Sequence, residues 1–193
     1  MNEIPPRRDD PVPDADHPAR VRTQPLPRHK QPPRIRLRQV LVAWLGAFGG
    51  IAALVLLVEL FPRMQLLVIG SFGASAVLLF AAPRAPFSQP RNLVGGHLIS
   101  AVVGVASYRY LPDMLFVPEA TAVATAIALM MLTRTIHPPG GATALIAVIG
   151  PEAVRGLGWA YVFPVLVGAL LLMLVAIVSN NLLERGSYPD RWD

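Results

Sequence analysis

Cysteine is absent from the 193-residue chain, which removes disulfides, thiolate metal sites and cysteine nucleophiles and leaves the redox compartment open. Charge is nearly absent after residue 40. Of 17 Lys+Arg and 12 Asp+Glu, only eight basic and seven acidic residues lie beyond that point, too few for an ordinary soluble enzyme. Aromatic residues are absent before Trp44. The net charge of +5 and pI near 10.4 therefore come without a platform for stacking bases, and nucleic acid is not an expected partner. Also missing are H-E-x-x-H, G-x-S-x-G and the phosphate-cradling G-x-x-x-x-G-K-[ST]. The apolar part holds two histidines, His97 and His137, and two imidazoles alone do not fill a zinc site. The expectation is no catalytic residue, no metal and no cofactor.

What is present is apolar sequence. Hydrophobic residues make up 53% of the chain and mean hydropathy is +0.49, which points to an all-α polytopic membrane protein. Residues 1–38 read as a disordered basic tail, because nine prolines forbid a continuous helix and little can be buried. Residues 39–185 read as the membrane domain and 186–193 as a short C-terminal tail. The domain contains six apolar runs: Val40–Leu60, Leu66–Ala82, Leu93–Leu111, Pro118–Thr133, Pro138–Gly150 and Ala160–Leu183. The first has 21 residues, about 31 Å of helix, enough for a hydrocarbon core of about 30 Å. The fifth has 13, about 20 Å, and so predicts a short or broken helix sheltered by the others. The count is four to six segments.

With six crossings and a cytoplasmic N-terminus, 14 basic residues fall inside and three (Arg63, Arg109 and Arg155) outside, as the positive-inside rule requires. The expectation is a multi-pass protein of a bacterial inner membrane, its N-terminus cytoplasmic and lipid its surroundings. A faint repeat lays Ser71–Pro83 over Pro139–Pro151, matching Gly73 with Gly141, Ala74 with Ala142, Ala76 with Ala144 and Pro83 with Pro151. If real, it makes two inverted halves of three segments each. Small residues recur every four positions at Gly46/Gly50, Gly96/Ser100/Gly104 and Ala120/Ala124/Ala128, stripes that permit close helix packing. A homo-oligomer is left open.

The sharpest local feature is His137-Pro138-Pro139-Gly140-Gly141-Ala142-Thr143-Ala144-Leu145. Prolines suit a first helical turn and glycines a close approach. The alternative is a tight re-entry in which His137 merely caps the helix. His97 lies inside an apolar run, where an ionisable group is a functional candidate; an interfacial histidine bonded to a loop is the plainer reading. Gln89, Arg91 and Asn92 read as an ordinary loop, and Glu59 and Glu119 as interfacial.

This stretch resembles the motif of the HPP family of small integral membrane proteins. Gly70–Phe80, Ser88–Asn92 and Gly96-His97 are similar to the family's other blocks, so the resemblance spans about Val40–Leu183. It implies a bundle usually described with four transmembrane helices. It also implies kinship with plastid and cyanobacterial members that transport nitrite, while most bacterial members have no assigned substrate.

The resulting expectation is a transporter or channel for a small solute, a small anion, with nitrite the one that the family resemblance implies. A non-transporting partner subunit is the alternative, and a membrane-embedded enzyme the third class. The expected solute site lies between the two short helices beginning near Ser71 and Pro139, whose N-termini converge from opposite faces and favour an anion. Ser71, Ser75 and Thr143 would supply hydroxyls. Gly73, Gly140 and Gly141 would let solute reach the backbone, and His137, Pro138, Pro139 and His97 would complete the lining.

Overall fold

A computed structural model describes residues 35–61, 70–183 and 186–192. The expected disorder of the N-terminal tail falls outside the described residues, apart from its last few positions. Helix α1 (Leu37–Leu60) starts where Gln39 Oε1 accepts the N–H of Arg36 at 2.9 Å, one half of a capping box. Helix α2 (Gly70–Ala76) runs on into a π-helical turn, Val77–Ala81. The wider turn has two carbonyls with side-chain donors: Ser88 Oγ donates to Leu78 O at 3.0 Å, and Asn180 Nδ2 to Leu79 O at 3.0 Å.

Helix α3 (Pro90–Tyr110) opens with proline at its first position and stops at Leu111, the residue before Pro112. Helix α4 (Val117–Leu132) ends in a Schellman turn. Thr135 N–H donates to Met130 O at 2.8 Å and Arg134 N–H to Met131 O at 3.2 Å. The left-handed residue of that turn, usually glycine, is Arg134, with φ +58°. Helix α5 (Pro138–Ile149), the single turn α6 (Glu152–Arg155), a 3₁₀ turn (Gly158–Tyr161) and α7 (Val162–Leu183) complete the order. The segments agree with the apolar runs to within a few residues wherever they are described. Among the described residues, two helices are long and apolar enough to cross a membrane, Leu37–Leu60 and Gly158–Leu182.

Helix α3 is central and touches α4, α5 and α7, while α1 packs along α7. Gly46 faces Ser179 and Gly50 faces Leu172, so α1 and α7 are antiparallel. Gly96 lies against His137 and Gly104 against Ala144 and Ala147, so α3 and α5 run parallel. Tyr188 Oη donates to Ser88 O at 2.8 Å, which brings the end of α7 back to the start of α3. Helices α1, α3 and α5 therefore begin at one end of the bundle, called here the near end.

Two apolar clusters hold the bundle. One is built from large side chains of α1, α2, α3 and α7, among them Leu54, Phe72, Phe80, Leu93 and Leu172. The other is a seam of small ones between α3, α4 and α5: Ala122, Ala126 and Ala144 with Val103, Met130 and Val148. The expected stripe Ala120/Ala124/Ala128 is exposed; Ala122, Ala126 and Met130 form the packed face instead. Helix α4 is apolar nearly all round, so spacing alone does not select the face. Trp44, Phe48, Phe163, Leu174 and Leu182 are exposed, an apolar exterior suited to lipid rather than water.

Candidate functional site

Where α2, α3 and α5 meet, five polar side chains are wholly buried: Ser71, Ser75, His97, His137 and Thr143. Ser75 Oγ lies 2.8 Å from His97 Nε2 and 2.9 Å from His137 Nε2. The far nitrogen of His97, Nδ1, is 2.8 Å from Thr143 Oγ1. Thr143 Oγ1 donates to Ser71 Oγ at 2.9 Å. His137 Nδ1 donates to the carbonyl of Phe87 at 2.7 Å. Buried polar groups must be paired, and these satisfy one another across three helices. Tyr161 Oη, buried at the start of α7, donates to Thr143 O at 3.1 Å and ties that helix to the same point.

The local sequence explains the crossing. Pro138 and Pro139 open α5 without needing N–H partners. Gly96 and Gly140 let α3 and α5 touch: a Cβ on Gly96 would stand 2.5 Å from His137 Cβ, and one on Gly140 would stand 2.7 Å from Ser100 Oγ and 3.0 Å from Gly96 O. These absent methyl groups are what allow the two imidazoles to lie 4.9 Å apart, centre to centre.

The expected site residues divide into two groups. Ser71, Ser75, His97, His137 and Thr143 form the network; Pro139 is buried beside it, its carbonyl 3.4 Å from Thr143 Oγ1. Gly73 and Pro138 are exposed. A Cβ on Gly73 would meet nothing, and one on Gly141 only Val123 at 4.0 Å, so neither glycine marks a helix crossing. The N-termini of α2 and α5 also do not meet end to end. Ser71 pairs with Thr143 and Ser75 with His137, so the two helices lie side by side and antiparallel. His137 caps no backbone N–H with its side chain, and His97 is buried rather than interfacial.

Two cavities lie at opposite ends of α3, α4 and α5. The near one, about 370 Å³, is lined by Phe87, Arg91, Asn92, Arg134, Ile136 and Arg191 among others. Its rim is tied by Arg91 Nη2 donating to Thr133 O at 2.9 Å and Asn92 Nδ2 to Ile136 O at 2.8 Å. The far one, about 560 Å³, is lined by Tyr108, Arg109, Asp113, Glu119 and Arg155 among others. Glu119 Oε2 and Arg155 Nε are buried there with no hydrogen-bond partner, and the Arg155 guanidinium sits 5.6 Å over the Tyr108 ring.

Sequence reasoning missed the near rim. Gln89 is buried, not part of a plain loop: its Nε2 donates to Pro83 O and Ala85 O, and its Oε1 accepts from the N–H groups of Asp190 and Arg191. The stretch after α7 is thereby folded back, with Tyr188 buried, and it carries Arg191 to the cavity. Residues about 100 positions apart meet here, and no local pattern announces that.

The match to known families is decisive. Residues 32–189 match the family described as HPP, transmembrane region. The chain belongs to the HPP family. It is 45% identical over 172 residues to one Dictyostelium discoideum protein named only as a transmembrane protein, covering 86% of this chain and 60% of that one. A second transmembrane protein of the same organism is 44% identical over 172 residues, covering 84% and 54% respectively. The chain thus spans somewhat over half the length of these relatives. No solved structure matches it. Family and relatives together establish an HPP membrane protein.

Proposed function

We propose that this HPP protein is a multi-pass transporter of a small anion, with nitrite the first candidate by kinship. The observation that carries the reading is the pair of arginine-bearing cavities at the two ends of α3, α4 and α5, with the buried Ser–His–Thr network beside the closed seam between them. Arg91, Arg134 and Arg191 bring positive charge to one mouth, and Arg109 and Arg155 stand at the other beside Asp113 and Glu119. Arginine is weakly hydrated and binds planar oxyanions through paired N–H groups. Arg134 occupies a left-handed position that disfavours side chains by about 1–2 kcal/mol, as expected where function outweighs local strain. The seam of glycine and alanine is closed, so passage requires α4 or α5 to shift.

In this reading six segments cross, both termini lie in the cytoplasm of a bacterial inner membrane, and the near mouth faces inward. The internal repeat then makes two inverted halves. Helix α1 of the first half packs on α7 of the second, and α4 of the second packs on α3 of the first, the reciprocal exchange that a twofold relation requires.

Flux of nitrite, nitrate, formate and chloride into vesicles containing the full chain tests the proposal. Nitrite entry above that of protein-free vesicles is expected, falling about tenfold or more in Arg134→Gln, the loss of one charge-assisted contact. Absence of flux for every anion would move the protein to the partner-subunit reading.

A further inference from the structure

We propose that His97 and His137, bridged by Ser75, form a site for one proton, and that this proton is the ion coupled to anion movement. The second half rests on the transport reading; the first does not.

The argument is a count of hydrogens. His137 Nδ1 faces a carbonyl, Phe87 O, and must carry a hydrogen. With both rings neutral, one arrangement pairs every ring nitrogen. The Thr143 hydroxyl donates to His97 Nδ1, His97 Nε2–H donates to Ser75 Oγ, and the Ser75 hydroxyl donates to His137 Nε2. When Thr143 instead donates to Ser71 Oγ, as their geometry favours, His97 Nδ1 must donate to Thr143. The Nε2 lone pairs of both rings then face Ser75, which has a single hydrogen. One added proton, on either Nε2, resolves the conflict.

Uptake therefore converts one imidazole to imidazolium, with a proton taken from water and no other covalent bond changed. It also turns the Thr143 hydroxyl from α3 toward Ser71 on α2. A second proton would still find a hydrogen-bond acceptor, because Ser75 can donate to Ser71 O at 3.1 Å. It would place two cations 4.9 Å apart, however, and like charges that close in a buried site do not both form.

The surroundings bias the site. Helix α2 brings only the hydroxyls of Ser71 and Ser75 and the Phe72 ring, 5.1 Å from His97. Helix α4 and the turn after it bring Met130 and Thr135, and α5 brings Thr143. The turn before α7 brings Tyr161, bonded to Thr143 O. Among the described residues no carboxylate is hydrogen-bonded to either ring. Phe87, whose carbonyl accepts from His137, also lines the near cavity, together with the cationic side chains of Arg91, Arg134 and Arg191. Those cations oppose a further positive charge. An anion held by them cancels that field and favours the proton, and by linkage the proton favours the anion.

The test is nitrogen NMR of the full chain labelled at histidine and held in lipid nanodiscs. Labelled N-acetylhistidine amide in the same buffer serves as the free-imidazole reference, with pKa about 6.5. The His97 and His137 signals are expected to move together in one step that adds a single proton to the pair. In His97→Gln, the His137 signal should instead move through its full range alone. Two independent full titrations in the parent chain, or no titration of either ring while the protein stays folded, overturn the site.

The coupling is read in vesicles with nitrate, whose conjugate acid is too strong to carry protons across by itself, and a trapped pH dye. One proton per nitrate is expected, so each unit of pH gradient shifts steady-state accumulation about tenfold. Nitrate entry without proton movement overturns the coupling and leaves transport standing. Absence of any anion flux overturns the coupling together with the transport reading, while the NMR result still decides the proton site.

Discussion

The two sides of the bundle solve the packing problem with opposite materials. Where α1 lies along α7, the contact is made by Leu54, Phe80, Leu172 and their neighbours, and Gly46 and Gly50 leave room for the Phe80 ring. Where α3 meets α4 and α5, glycine, alanine and hydroxyls make much of the contact beside Val103, Met130 and Val148, and a cavity opens at either end. Large side chains interdigitate and hold their register. Small ones bring backbones together and, with few atoms to disengage, let helices slide. In the transport reading proposed above, the first side holds and the second moves.

The strongest way to break that comparison is a matched pair of substitutions. Gly104→Val would press its Cβ to 2.5 Å from Ala144 O and 2.7 Å from Ala147 Cβ, so about 3 kcal/mol of stability and nearly all flux should go. Leu172→Ala should cost a similar amount, about 2–5 kcal/mol, yet the protein that survives should still carry anion. Thermal midpoints in detergent beside vesicle flux decide it. Equal loss of flux at equal loss of stability would erase the division of roles.

A smaller contrast lies within the motif itself. Gly140→Ala places a methyl group against Ser100 and the Gly96 carbonyl and should destabilise by about 1–3 kcal/mol. Gly141→Ala meets only Val123, at the ordinary contact distance of 4.0 Å, and should stabilise α5 by about 0.5–1 kcal/mol. Melting curves of the two variants, one residue apart, are expected to move in opposite directions.

The smallest effect belongs to the near rim. Tyr188→Phe removes the bond to Ser88 O and should cost about 1 kcal/mol. Burial pushes the Tyr188 phenol up from its ordinary value, so the folded chain keeps that proton where an unfolded phenol, with pKa about 10, releases it. The contribution is complete below about pH 10 and declines as pH rises above it. Melting temperatures at about pH 8 and about pH 11 should therefore differ more in the parent than in the Phe variant.

Much of the architecture is legible in the amino-acid sequence. Unbroken apolar runs and proline punctuation mark every described membrane-length segment, because lipid forces backbone groups to pair within helices. The polar residues of the network are legible too: His97, Ser71, Ser75, His137 and Thr143 stand out in apolar surroundings, where a polar side chain needs a reason. Their partners are not. Gly73 and Gly141 are as small as Gly96 and Gly140, and only the packing shows which pair lies at a crossing. The Ala120 stripe and the Ala122 stripe have equal standing in the sequence, since periodicity selects a face only when the opposite face is polar.

Composition and run length by themselves determined a helical membrane protein, its segment boundaries and the side chains too polar to be idle. The tertiary structure alone decided that His97 and His137, far apart in the chain, share one serine hydroxyl. It alone decided that α2 and α5 lie side by side rather than tip to tip, and that Gln89 holds the returning chain. The physical reason is range. Helix formation and burial in lipid depend on neighbours a few residues away, whereas a hydrogen-bond network depends on which helix faces meet, and in helices apolar all round that is settled by shape.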